Sequence, residues 1–177
     1  GEPLVRGDFP EICAIFQRIG VRQSMLTNGL LLEKRLDEIL PFFEEIIVSI
    51  DGPDRLVHNA IRGLDSFDQI VKGMKKLLHH SERPKLSVRM VIQRRNFRSV
   101  EQMINFGKQI GIDRISFLTA DVLSQAFHRN HRGPMAGNNE ILLTIEEAKG
   151  FRSIVRRLIA EHVPDFQSGY ISETPSK

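Results

Sequence analysis

The regular alternation of strand-like and helix-like segments is the feature that most constrains how this chain can fold. The strand-like segments are VRQSMLTNG, EIIVSIDGP, KLSVRMVIQRRN and DRISFLTA, and a segment with helical periodicity separates each from the next. Strands joined through helices pair in parallel, because each crossover returns the chain to the same end of the sheet. The sequence therefore predicts an α/β fold in which helices cover a parallel sheet of about four strands.

Capping pairs and apolar stripes predict where the helices begin and which faces they bury. The candidate capping pairs are Asp8/Glu11, Ser66/Gln69, Ser99/Gln102 and Thr144/Glu147. The first helix is expected to bury a face made of Ile12, Ile15, Phe16 and Ile19. The second helix is expected to run from about residue 32 to residue 43.

Two architectures fit this alternation, an open doubly wound sheet and a partial (β/α) barrel, and the strand ends favour the barrel. Polar side chains follow every strand, and they are Thr27 and Asn28, Ser49 and Asp51, Gln93 and Asn96, and Thr119 and Asp121. Parallel α/β folds carry their chemistry at this carboxyl-terminal rim of the sheet. We therefore expect the functional residues to lie there.

The strand at residues 85–92 places an arginine on the face opposite its apolar side chains. Leu86, Val88, Met90 and Ile92 share one face, whereas Arg89 lies on the other with Ser87, Val91 and Gln93. A charge in a dry interior is costly without a partner, but it suits a barrel lumen that holds an anionic or polar ligand. The alternative is an edge strand whose arginine faces water.

Composition excludes several classes of protein. The net charge is +3 and the basic residues are scattered, so a nucleic-acid binder is not indicated. No apolar run approaches the roughly 18 residues that span a membrane. The single cysteine, Cys13, excludes an internal disulfide and fits a reducing compartment, so a cytoplasmic location is expected.

A series of short motifs in a fixed order resembles a known family. The motifs are GEP, TNG, SIDGP, HNAIRG, VIQRRN and IGIDRISFL. In this order and spacing they are similar to the radical S-adenosylmethionine (SAM) superfamily, and within it to enzymes with a SPASM or twitch extension. The resemblance covers residues 1 to about 121.

The resemblance implies a partial (β/α)6 TIM-like barrel, of which strands three to six are present in this chain. It also implies a [4Fe–4S] cluster held by a three-cysteine loop, with SAM bound at its open iron. One electron, from a donor such as flavodoxin or ferredoxin, would cleave SAM to a 5′-deoxyadenosyl radical. That radical would abstract hydrogen from a substrate, which is either a peptide or a small metabolite.

The resemblance also implies which residues bind SAM. Gly1 and Glu2 match the end of a Gly-Gly-Glu-Pro strand, where a carboxylate receives the SAM ammonium group and glycine permits close approach. Arg89 matches a position suited to the SAM carboxylate, since arginine pairs with carboxylates through two parallel bonds. The remaining implied cofactor-binding residues are Thr27, Asn28, Ser49, Asp51, Asn96, Leu118 and Thr119, of which the last two would meet adenine.

The chain departs from the family pattern because it lacks the CxxxCxxC cluster motif, and Cys13 within a helix is no substitute. We expect residues 1–143 to be the later part of the barrel. Residues 144–177 would be a following helix and a polar tail leading to an absent extension. The chain alone is therefore expected to be inactive, and its first strand is expected to offer an unpaired edge for self-association.

Two other functional classes stay open at this point. One is a binding module that kept the fold and lost the cluster, and the other is an unrelated phosphate-binding (β/α) enzyme. His128 and His131 form a weak candidate metal pair, because no third ligand accompanies them. His58 and Arg62 of HNAIRG match a recurrent family feature, and both a structural and a functional role are open.

Overall fold

The computed structural model describes residues 1–120 and 141–175, which contain a four-stranded parallel sheet. The strands are β1 (Ser24–Thr27), β2 (Glu45–Ser49), β3 (Lys85–Ile92) and β4 (Arg114–Thr119). The helices are α1 (Phe9–Arg18), α2 (Leu32–Ile39), α3 (Arg55–Arg62), α4 (Phe67–Leu78), α5 (Val100–Ile110), α6 (Ile145–Glu161) and α7 (Val163–Gln167). Short 3₁₀ helices lie at Pro3–Val5, Leu40–Phe42 and Phe97–Ser99.

The strand order decides between the two architectures. The order is β1-β2-β3-β4, so strands that follow one another in sequence are neighbours in the sheet. Right-handed crossovers between such neighbours place the helices on one face, whereas a doubly wound sheet needs a change of direction in its strand order. The fold is therefore the predicted barrel-like arrangement, with the core between the sheet and its helices.

The two faces of the sheet differ in burial. The helix-facing side chains of the central strands are fully buried, and they include Ile46, Val48, Leu86, Val88 and Met90. Each contributes about 1.5–3 kcal/mol relative to an exposed side chain. On the opposite face, which we call the open face, Ser49 and Arg89 are only half-buried, so this is the face expected to line a barrel lumen.

The predicted helix boundaries were correct at some ends and wrong at others. Helix α2 ends at Ile39 rather than at residue 43, because Pro41 introduces a 3₁₀ turn. Helix α3 was not predicted. It follows Asp54, whose side chain accepts a hydrogen bond from the Val57 N–H at 2.9 Å, and it ends at Arg62, just before Gly63, whose φ is 68°.

Only one of the capping pairs forms in the way that was predicted. Thr144 and Glu147 make both reciprocal bonds at the start of α6. Asp8, Ser66 and Ser99 make no side-chain cap bond. Asp8 pairs with Arg6 instead, because a nearby opposite charge competes with the helix end.

The predicted buried face of α1 is wrong. Ile15, Phe16 and Ile19 are 50%, 45% and 68% exposed, and Cys13 is the residue of α1 that is buried. Helix α1 lies beside β1, at the edge of the described sheet, and no element of residues 1–120 or 141–175 covers its outer face. Association through this edge remains a prediction.

Residues 170–173, which lie within the predicted polar tail, contact the sheet. The Ile115 N–H donates to the Tyr170 carbonyl at 2.7 Å, and the Ser172 N–H donates to the Ile115 carbonyl at 2.9 Å. Ile171 is 3% exposed. This segment therefore pairs in parallel with β4 and covers the second edge of the sheet. None of the helices within the described ranges has the length and apolar character needed to cross a lipid bilayer.

Candidate functional site

The Glu2 carboxylate lies at the carboxyl-terminal end of β1. Its Oε1 accepts hydrogen bonds from the Leu4 N–H at 3.2 Å and the Thr27 hydroxyl at 2.7 Å, and its Oε2 accepts one from the Asn28 N–H at 2.7 Å. A carboxylate has about four acceptor sites, so these bonds leave capacity for one more donor. No Lys or Arg of the described residues pairs with it, and the negative charge is held in place but not neutralised.

Thr27 and Asn28 support Glu2 in different ways. The Thr27 side chain is 2% exposed and points to the helix face, so its hydroxyl holds Glu2 and does not face the open side. The Asn28 side chain accepts the Leu30 N–H at 2.9 Å. A Cβ added at Gly1 would meet no atom within 4 Å, so no neighbouring atom requires glycine at this position. Glycine is favoured instead at Gly29, whose φ of 80° lies in the left-handed region.

Ser49 and Arg89 lie side by side on the open face. They are register partners between β2 and β3. The Arg89 Nε donates to the Ser116 hydroxyl at 3.3 Å, and no carboxylate within the described residues forms an ion pair with this guanidinium. Because β3 is a central strand, the interpretation of Arg89 as an edge residue facing water is wrong. The open face instead presents a half-buried cation, and the described residues accept only one of its hydrogen bonds.

Asp51 and Asn96 were expected to meet the cofactor, but their polar groups are used inside the protein. Asp51 is 3% exposed, and its carboxylate accepts the Val91 N–H at 3.1 Å and the Arg62 Nε at 2.7 Å. Asn96 is 1% exposed, and its amide donates to the carbonyls of Asp51 and Val91, both at 2.9 Å. These two residues join strand ends.

The end of β4 completes the rim. Leu118 is 46% exposed and Thr119 is exposed as well, so both are accessible beside β3. The expected residues thus form three groups along the carboxyl-terminal rim of the sheet. These are Glu2 at the end of β1, the Ser49–Arg89 pair on β2 and β3, and the end of β4. Ser116 was not predicted from the sequence. Whether His58 and Arg62 have a structural or a functional role was left open, and only the HNAIRG motif pointed to these two residues.

The described residues do not fit an iron–sulfur cluster. Cys13 is buried within α1, and burial raises the pKa of its thiol, which disfavours the thiolate that binds iron. Across residues 1–120 and 141–175, no group of three or more His, Cys, Asp or Glu could hold a metal ion. His128 and His131 lie outside the described residues. The rim does carry a carboxylate at Glu2 and a guanidinium at Arg89, which are the groups expected for the SAM ammonium and the SAM carboxylate.

Comparison with known proteins yields one family match. The model of the Radical SAM superfamily matches residues 1–107. Among curated proteins, the probable GTP 3′,8-cyclase of Sulfurisphaera tokodaii is 29% identical over 122 residues, which are 67% of this chain and 38% of the relative. That of Saccharolobus islandicus is 32% identical over 120 residues, which are 67% of this chain and 39% of the relative. The chain thus spans less than half the length of these relatives.

Solved structures show the same fold. The solved structure of native anSMEcpe with bound AdoMet and Kp18Cys peptide has a TM-score of 0.70 at 20% identity, and the match covers 97% of this chain and 47% of that one. Streptococcus suis SuiB bound to S-adenosylmethionine has a TM-score of 0.64 at 17% identity, covering 92% and 36%. At these identities the likeness supports the fold alone.

Proposed function

This chain belongs to the Radical SAM superfamily, and on that premise we propose that its strand ends bind SAM in a larger radical enzyme. The superfamily uses SAM together with a [4Fe–4S] cluster, and this pair supplies one-electron cleavage of SAM and abstraction of hydrogen from a substrate. Cluster ligands would come from outside this chain. The family match excludes the unrelated phosphate-binding enzyme.

The observation that carries the proposal is the state of Arg89. Its guanidinium is half-buried on the open face, and its bond to Ser116 uses one of five N–H donors. The Glu173 carboxylate is close enough for a Coulombic interaction with Arg89, but no carboxylate among the described residues forms an ion pair with the guanidinium, so its remaining donors can bind a ligand. A planar guanidinium matches a carboxylate through two parallel bonds. We therefore assign Arg89 to the carboxylate of SAM, beside the Ser49 hydroxyl.

Glu2 complements this assignment at the neighbouring strand end. Its three internal hydrogen bonds fix the carboxylate without neutralising it. An ammonium group that docks there would gain a charge-assisted hydrogen bond, which is about twice as strong as a neutral one. The role of this chain is thus to bind and orient SAM through its two charged groups. The rim at Leu118 and Thr119 remains the proposed place for adenine.

For the substrate we propose a small molecule, with GTP as the first candidate. The support is the repeated similarity to probable GTP 3′,8-cyclases at 28–32% identity. These matches cover only part of each relative, so the choice rests on likeness and not on residues of the described site. A peptide substrate with a SPASM or twitch extension is the second candidate, and flavodoxin or ferredoxin is the proposed electron donor. A non-catalytic binding module is the remaining alternative.

The experiment uses the full-length protein under anaerobic conditions with SAM and a chemical reductant. We expect 5′-deoxyadenosine to accumulate, and to accumulate faster when GTP is added. Arg89→Gln should weaken SAM binding by about 10- to 100-fold, since hydrogen bonds to charged groups contribute about 1.5–3 kcal/mol.

The matched control is Arg114→Gln, on the open-face side of β4 but at the opposite end of the strand, where Arg114 lies 3.9 Å from Glu45. This control should bind SAM like the wild type. Absence of both SAM binding and 5′-deoxyadenosine would support the non-catalytic alternative. Cleavage that responds to a peptide but not to GTP would overturn the substrate assignment alone.

A further inference from the structure

Four polar residues behind the rim form one connected cluster, which we call the strand-end clamp: Asp51, His58 and Asn96, which are buried, and Arg62, whose side chain is 36% exposed. Asp51 follows β2, His58 and Arg62 lie on α3, and Asn96 follows β3. His58 and Asn96 are each 1% exposed, and Asp51 is 3% exposed. Burial of this many polar groups is costly unless each finds a partner, so their partners indicate what the clamp does.

All four polar atoms of Asp51 have partners. Its carboxylate accepts the Val91 N–H and the Arg62 Nε, its N–H donates to His58 Nδ1 at 3.2 Å, and its carbonyl accepts the Asn96 amide. The last backbone bond across β2 and β3 runs from the Ile50 N–H to the Arg89 carbonyl at 3.0 Å. Beyond that bond, the Asp51 carboxylate takes the place of a strand carbonyl and continues the pairing.

His58 links the clamp to the helices. Because its Nδ1 accepts from the Asp51 N–H, its proton lies on Nε2, which is 3.3 Å from the Ser66 hydroxyl. That hydroxyl can accept a hydrogen bond from the Nε2–H and donate one to the Leu64 carbonyl at 3.3 Å. Burial and the neighbouring Arg62 lower the pKa of His58, which keeps the ring neutral and the chain of bonds intact.

The close approach of α3 depends on Gly52. A Cβ at this position would lie 2.6 Å from the Val57 Cβ and 2.8 Å from the His58 backbone nitrogen. A side chain here would therefore push α3, and with it the clamp, away from the end of β2. The helix that sequence reasoning did not predict is thus held against the rim by direct backbone contact.

The clamp lies immediately beyond the two open-face residues of the proposed site. Asp51 is two positions after Ser49, and Val91 is two positions after Arg89, so the Asp51–Val91 bond ties together the strand ends that carry this register pair. We infer that Arg62, together with His58, Asp51 and Asn96, positions Ser49 and Arg89 for SAM. These are positioning residues, and the inference rests on the proposed function.

The test measures the affinity of the cluster-loaded, full-length protein for SAM by anaerobic equilibrium dialysis. Arg62→Met removes the partner of Asp51 while keeping similar length. We expect its SAM dissociation constant to rise about tenfold, which corresponds to about 1.4 kcal/mol. The matched control is Arg55→Gln at the start of α3, where Arg55 pairs with Asp65 at the surface and does not touch the clamp. This control should bind SAM like the wild type.

A double-mutant cycle separates positioning from a loss of stability. In an Arg89→Gln background, the additional effect of Arg62→Met should fall to less than about twofold, because Arg89, the charged one of the two residues that the clamp positions, is gone. Independent, multiplying effects would overturn the inference, as would unchanged affinity in Arg62→Met. If the Met variant does not fold, the same cycle is run with Arg62→Lys, where the same coupling is expected and its absence overturns the inference. A wild type that does not bind SAM would instead contradict the proposed function.

Discussion

Gly29 offers a stability test whose size follows from two features of the turn after β1. Its φ of 80° is left-handed, and a Cβ there would lie 2.8 Å from the Ile70 Cγ2 and 3.0 Å from the Val48 Cγ1. The left-handed conformation costs an alanine about 1–2 kcal/mol. Overpacking against two core side chains adds about 1–3 kcal/mol. Gly29→Ala should therefore destabilise the protein by about 2–5 kcal/mol.

Gly20 is the matched control, because it shares the conformation without the crowding. Its φ is 76°, and a methyl group added to its Cα would meet no atom within 4 Å. Gly20→Ala should cost only the backbone part, about 1–2 kcal/mol. The difference between the two variants isolates the contact of the TNG turn with α4 and β2.

The assay is thermal unfolding of the wild type and both variants, followed by far-ultraviolet circular dichroism. One kcal/mol shifts the melting temperature by about 2–4 °C for a domain of this size. We therefore expect a decrease of about 10 °C for Gly29→Ala and about 4 °C for Gly20→Ala. Equal decreases would refute the packing of this turn, and with it the placement of Glu2 at the end of β1.

Three further predictions concern buried titratable groups. Burial lowers the pKa of His58 in the folded protein. The neutral imidazole therefore contributes fully to stability above the ordinary histidine pKa of about 6.5, and this contribution is lost as the pH falls through the lower pKa of the folded state. Urea unfolding should show a declining free energy of unfolding from pH 7 to pH 5, with a flatter profile for His58→Gln; identical profiles would contradict this. Burial raises the pKa of Tyr170 to about 12. Tyr170 is the single tyrosine of the 177 residues and there is no tryptophan, so phenolate absorbance reports on this side chain alone. The absorbance should appear near pH 12 in the folded chain. Ionisation near pH 10 with an intact circular dichroism spectrum would be inconsistent with a buried phenol. Glu173 accepts the Phe117 N–H at 2.8 Å through Oε1, while its buried Oε2 has no hydrogen-bond partner among the described residues; burial raises the pKa of this carboxyl, and the Arg89 charge opposes that rise. Glu173→Gln should thus unfold at the same or a higher urea concentration than the wild type, whereas Glu173→Ala should lose about 1–3 kcal/mol; a Gln variant as unstable as the Ala variant would count against this.

The fold could be predicted to the extent that local pattern dictates it. Strand β3 has the predicted bounds, residues 85–92, because its apolar alternation is long and uninterrupted. Helix α3 was missed because it is eight residues long, with a single buried side chain, that of His58. Its position depends on Gly52 and on the buried bonds of His58, and neither leaves a periodic signal in the sequence.

Capping pairs show where local reasoning fails. The Ser66/Gln69 pattern matches the sequence rule, but the Ser66 hydroxyl faces His58 and the Gln69 amide donates to the Leu30 carbonyl at 2.7 Å. Tertiary partners won over the local bond in both cases. Thr144 and Glu147 form the predicted box even though Glu147 also pairs with Arg94 at 3.0 Å, because its two carboxylate oxygens serve both partners.

The site was predictable in outline but not in the role of each residue. The alternation of β3 already placed Arg89 opposite the apolar face, and the strand order then made it a central, half-buried charge. Asp51 and Asn96 looked like cofactor ligands because they are polar and follow strands. Their burial and their bonds to backbone groups of neighbouring strands depend on register, which the sequence does not specify.

A crystal structure of the full-length protein with its cluster and SAM tests the central claim most directly. The account predicts that the SAM carboxylate lies within hydrogen-bonding distance of the Arg89 guanidinium, and that the SAM ammonium lies within the same distance of the Glu2 carboxylate. A SAM molecule bound with neither group at these positions, and with Arg89 paired to a carboxylate of the protein, would contradict it.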